Sequence, residues 1–154
     1  MKIIFITLSI LIVTGCGFKV ENQTKLNNYN LANITTSGDN RIAYKLKNII
    51  SSHSSNASEN TIDLTFKITK RKSIKEKNDK NQVTKYQVSI NVQTIINKLG
   101  DSKTITFDTS NNGEYSVSSK NSQSLINEKK LISLLTENIA NEIAEKMIRK
   151  INDI

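Results

Sequence analysis

"TIDLTFKIT", residues 61 to 69, alternates without a break: Ile62, Leu64, Phe66 and Ile68 fall on one side, Asp63, Thr65 and Lys67 on the other. Successive side chains of a strand point to opposite faces, so a period of two predicts a half-buried strand with one apolar face. Tyr86, Val88, Ile90 and Val92 repeat the pattern after the charged segment 70–82. A third, weaker run has Ile105 and Phe107, and Tyr115 with Val117 follow an Asn111-Asn112-Gly113 turn signal. Consecutive strands with short connections predict an antiparallel meander.

Upstream, "YNLANITT" (29–36) reads as a short strand through Tyr29, Leu31 and Ile34, and Ser37-Gly38-Asp39 as a turn ending in a helix cap. Ile42, Leu46, Ile49 and Ile50 then recur at helical spacing, with Lys45, Lys47 and Asn48 off that face, which predicts a helix over about 39–52. The clearest helix runs from about Ser124 to Ile151, where Ile132, Leu135, Ile139, Ile143 and Met147 form one stripe. Its acidic residues precede Lys146, Arg149 and Lys150, the order that the helix dipole favours. The economical assembly is α+β: two helices packed on one face of a roughly four-stranded, mixed but mostly antiparallel sheet. Mixing follows if the first strand, crossing through the first helix, lies parallel to a later one.

The N-terminal end has a different character. Lys2 is followed by a nearly unbroken apolar run from Ile3 to Val13, then Thr14, Gly15 and Cys16, the only cysteine among 154 residues. That run is too short for the roughly 20 residues of a spanning helix and has the layout of a secretory signal. With the cysteine it resembles the lipobox of bacterial lipoproteins, so residues 1–15 are expected to be a signal peptide and Cys16 the lipid-attachment site and mature N-terminus. Two or more acyl chains, at about 0.8 kcal/mol per buried methylene, hold a domain at a bilayer without inserting it. Residues 16–28 have no period and read as a linker, leaving 29–154 as a single domain. The position after the cysteine is Gly17 rather than the aspartate that commonly retains lipoproteins at the inner membrane, so the expected location is the periplasmic face of the outer membrane.

The net charge is +8. For an exported domain this favours anionic lipid, phosphorylated glycolipid or an acidic protein as partner, and the export signal argues against nucleic acid. His53, the only histidine, lies in the serine-rich stretch "SSHSS" and reads as a solvated loop residue. With one histidine and no thiol left after lipidation, the usual zinc ligand sets cannot be assembled, and no Gly-rich phosphate loop is present. A binding protein with no catalytic residue, metal or cofactor is expected. The basic segment "KRKSIKEKNDK" (70–80) has two readings. At a hairpin tip, Lys70, Arg71, Lys72, Lys75 and Lys77 could grip a phosphorylated glycolipid, Arg71 as a bidentate fork and the lysines as point charges. The plainer reading is a solvated turn enriched in lysine by base composition.

The order of these parts, with the lipobox leading into "CGFK", the strand "YNLANITT" and the terminal helix "NEKKLISLLTENIANEIAEKMIRKI", resembles the LPS-assembly lipoprotein LptE family, in particular its divergent alphaproteobacterial members. Members often continue with Pro-Leu after the basic residue; here Val20 and Glu21 follow Lys19. The resemblance implies two helices on a four-stranded mixed sheet, no enzyme activity, and a role in lipopolysaccharide transport as plug and assembly partner of the outer-membrane β-barrel LptD. An auxiliary lipoprotein of a lipid-transporting ABC system is the alternative reading.

Overall fold

The computed structural model describes residues 29–54 and 61–152. The expected signal peptide (1–15), Cys16 and the linker to residue 28 lie outside the described residues. Strand β1 (Asn30–Ser37) leads into helix α1 (Asn40–Ser52); strands β2 (Thr61–Lys77), β3 (Val83–Lys98) and β4 (Thr104–Ser116) follow, and helix α2 (Asn121–Asn152) closes the domain. The strands form one sheet in the order β1-β2-β3-β4, with β1 parallel to β2 and the other pairs antiparallel. This is the α+β class that the apolar periods predict.

Both helices cover one sheet face because that face alone is apolar. Ile62, Leu64 and Phe66 of β2 and Val88, Ile90, Val92 and Ile96 of β3 are all fully buried on this face, Leu64 opposite Ile96 and Ile68 opposite Val92. Over them α1 lays Ile42, Leu46 and Ile50, and α2 lays Leu135, Ile139, Ile143 and Met147. Asp39 caps α1 by accepting the backbone N–H groups of Arg41 (3.1 Å) and Ile42 (3.2 Å). Gly38, at φ +105°, makes the turn possible: a Cβ there would sit 2.0 Å from the Ile68 carbonyl oxygen.

Two segments expected to be turns are strands. β2 continues through the charged residues to Lys77, since Lys72 and Ile74 stand opposite Val88 and Tyr86 and their aliphatic stems extend the apolar row. The reversal is confined to Asn78–Gln82. Asn78 Oδ1 accepts the N–H groups of Lys80 (3.1 Å) and Gln82 (2.9 Å), and Asn81 adopts φ 61°. β4 likewise runs straight through Asn111-Asn112-Gly113, which pair with Ile90, Ser89 and Val88. Gly113 marks a close approach instead of a turn: a Cβ there would lie 2.7 Å from Leu131 Cδ1 on α2.

Candidate functional site

A strand presents neighbouring side chains to opposite faces, so the five basic candidates do not form one cluster. Lys70 and Lys72 face the helices. Arg71 lies on the open sheet face beside Thr69, Ser89, Asn91 and Ser110. Lys75 reaches Glu114 (3.3 Å), and Lys77 Nζ donates to Asn81 Oδ1 (2.9 Å) in the turn.

Lys72 is held from three sides. Its Nζ donates to Glu128 Oε2 of α2 at 2.7 Å and stands 4.4 Å and 5.3 Å from the ring centroids of Tyr86 and Tyr115, whose rings stack at 5.7 Å. Tyr115 Oη donates to the same carboxylate oxygen at 2.9 Å. Burial alone would lower the Lys72 pKa; hydrogen bonds and charge from Glu128 and Tyr115 outweigh it and leave the ammonium above the ordinary lysine value. Burial would raise Glu128, but the hydrogen bonds and charge of Lys72 and Tyr115 hold it below the usual carboxylate range. Burial pushes the Tyr115 hydroxyl up. The arrangement ties α2 to β2, β3 and β4 by one charged pair under an aromatic roof.

Lys70 forms an ion pair with Asp39, the α1 cap, and that hydrogen bond is the main cause of the lowered Asp39 pKa. Beside this pair lies a groove of about 510 Å³ between the start of α1 and the first turns of α2. Ile42, Leu125 and Ile132 supply its apolar surface, and Arg41, Lys45 and Lys129 add cations. Lys45 is engaged, donating to the Ser133 carbonyl (2.9 Å) and lying 3.4 Å from Glu137. Sequence reasoning missed Arg41, Glu128 and Lys129. The available signal was their position at the border of each helix's apolar stripe, where a side chain lies beside the core and in reach of water.

His53 is not in a free loop but caps the C-terminus of α1. Its Nδ1 lies 2.6 Å from the Ile49 carbonyl, which can only accept, so Nδ1 carries the proton and donates. Among the described residues, no three His, Cys, Asp or Glu side chains are grouped to hold a metal ion. None of the described helices is long and apolar enough to cross a membrane.

Strand, helix, three-stranded meander and closing helix, with the two helices on one face of a mixed sheet, define a compact α+β class to which known lipoproteins belong. Rare lipoprotein B from Shewanella oneidensis has this fold, with a TM-score of 0.53 over 80% of this chain and 95% of its own at 12% identity. A lipoprotein candidate from Caulobacter crescentus CB15 gives a TM-score of 0.58 over 85% of this chain and 95% of its own at 9% identity. At such identities the likeness establishes the shared fold. No protein-family model and no curated protein matches the sequence.

Proposed function

We propose that this chain is a lipid-anchored, non-catalytic accessory of lipopolysaccharide transport, tethered through Cys16 to the periplasmic face of the outer membrane and acting as plug and assembly partner of an LptD-type β-barrel. The observation that carries the reading is the topology. The resemblance to the LptE family implied two helices on a four-stranded mixed sheet, and the parallel β1–β2 pair with two helices on one face is that arrangement. Two solved proteins of this fold bear the name lipoprotein, which agrees with the lipobox-like run ending at Cys16.

The open sheet face fits such a role. Thr65, Lys67, Thr69, Arg71, Ser89, Asn91 and Gln93 give it a hydrogen-bonding surface like the polar lining of a barrel. Arg71 and Lys75 are the basic candidates on this face, and Arg71 is the better placed to meet a phosphorylated glycolipid because Lys75 already faces Glu114.

Affinity purification of the full chain from outer membranes tests the proposal. Recovery of a very large β-barrel, with diacylglycerol on Cys16 by mass spectrometry, is expected. Recovery of an ABC permease with its substrate-binding domain, or an unmodified Cys16 thiol, would overturn it.

A further inference from the structure

We infer that the exposed edge of β2 from Lys70 to Ile74 is a docking site for an extended acidic segment of another protein, added as a strand in line with β1. The inference does not depend on the proposed transport role.

β1 pairs with β2 only as far as Ser37 opposite Lys67, and the chain then leaves the edge at Gly38 against the Ile68 carbonyl. β2 continues for ten more residues, and among the described residues nothing pairs with that side of it. Alternation fixes which backbone groups are left over. Leu99 N–H donates to the Thr61 carbonyl, and the Thr84 carbonyl of β3 accepts from Val117 beyond β4. Even-numbered β3 residues thus point to β4, and odd-numbered ones to their odd-numbered β2 partners, which point back to β3. The N–H and C=O groups of Lys70, Lys72 and Ile74 therefore point outward. Beyond Ile74 the register shifts at Glu76 and again at Lys77, which ends the regular edge.

The opposite edge of the sheet shows what a closed edge looks like. On β4 the Asp108 carbonyl accepts from Lys146 Nζ (3.0 Å), Asn112 N–H donates to Asn111 Oδ1 (2.8 Å), and the Ser116 carbonyl accepts from Asn127 Nδ2 (3.3 Å). Side chains occupy that edge at regular intervals. Among the described residues, no side chain takes the outward backbone groups of Lys70, Lys72 or Ile74.

Charge selects the occupant. Lys70 and Lys72 flank the slot on the helix side, already paired with Asp39 and Glu128. On the open face stand Lys67 and Arg71, which have no ion-pair partner among the described residues. Edge cations repel a second copy of this chain and any basic strand, while carboxylates on the open face of an added strand would meet Lys67 and Arg71.

The full chain, purified in detergent, is offered an eight-residue peptide alternating valine and glutamate, its valine-lysine counterpart, and the acidic peptide with alternate backbone amides methylated. Hydrogen exchange is read residue by residue. The acidic peptide should slow exchange at the Lys70, Lys72 and Ile74 amides, and the lysine peptide should not. Methylation should abolish the protection. Charge reversal by Lys67→Glu with Arg71→Glu should weaken the acidic peptide about tenfold and admit the lysine peptide. Equal binding of the methylated peptide would reduce the interaction to unspecific charge attraction and overturn the inference. So would protection of these amides in the free chain, meaning that the chain fills its own edge, or protection that grows with protein concentration, meaning that a second copy does.

Discussion

At the scale of the residue, Thr94 is the misfit of the core. It is fully buried in the cross-strand row between Phe66 and Phe107, where its small size leaves room for the two rings. Its Oγ1 has no hydrogen-bond partner among the described residues. A buried hydroxyl left unpaired carries a desolvation penalty with nothing to offset it, whereas valine has the same shape and no polar atom. Thr94→Val is expected to stabilise the domain by about 1 kcal/mol, seen as a higher denaturant midpoint at an unchanged slope. A lower midpoint would mean that the hydroxyl is satisfied. Lys72 illustrates the reverse case, a charged residue on the helix-facing side of β2 that keeps contact with water while Glu128 and two aromatic rings hold its ammonium group.

Among the elements, the β2–β3 hairpin shows where sequence reading succeeds and where it stops. Its apolar alternation was legible from Ile62 to Ile68 and from Tyr86 to Val92, and both helices were legible from their stripes. Lys70 to Lys77 was not, because charge alone does not separate a loop from a strand whose lysines lay their stems along a partner's apolar row. The Asn111-Asn112-Gly113 triplet misled for a related reason: glycine serves a sharp turn and a close helix approach equally well, and only the position of Leu131 decides between them. The candidate site suffered most, since the chemistry of Lys70, Arg71 and Lys72 depends on which face each occupies. The confined turn has a direct test. Asn81 sits at φ 61°, which asparagine and glycine accept and a β-branched residue does not. Asn81→Gly should change stability by no more than a few tenths of a kcal/mol, and Asn81→Val should cost about 1–2 kcal/mol by chemical denaturation. Were the whole of 70–82 a loose connection, it would absorb the valine and the two variants would be equal.

For the whole molecule, the two helices are moored to the β2 ribbon by two carboxylates at separate places, Asp39 under Lys70 and Glu128 under Lys72. Both carboxylates titrate below their ordinary range, Asp39 chiefly through the Lys70 hydrogen bond, Glu128 because Lys72 and Tyr115 outweigh its burial. A folded-state pKa below the unfolded one means that the unfolded chain binds more protons in that window, so stability rises with pH there. The contribution is complete above the unfolded carboxylate value of about 4 and is lost as pH falls through the lower folded values. Lys72 works at the other end: its raised pKa gives a contribution that is full below the ordinary lysine value of about 10.4 and fades as pH climbs through the folded one. Between these limits neither pair responds to pH. Denaturant curves for the parent and for the Asp39→Asn, Glu128→Gln double variant should therefore run parallel from about pH 7 to pH 5, with the variant less stable. Below about pH 4 the parent should fall more steeply until the two meet, because protonation removes from the parent the charges that the substitutions removed already. Curves that stay parallel into acid would show that the mooring depends on packing alone.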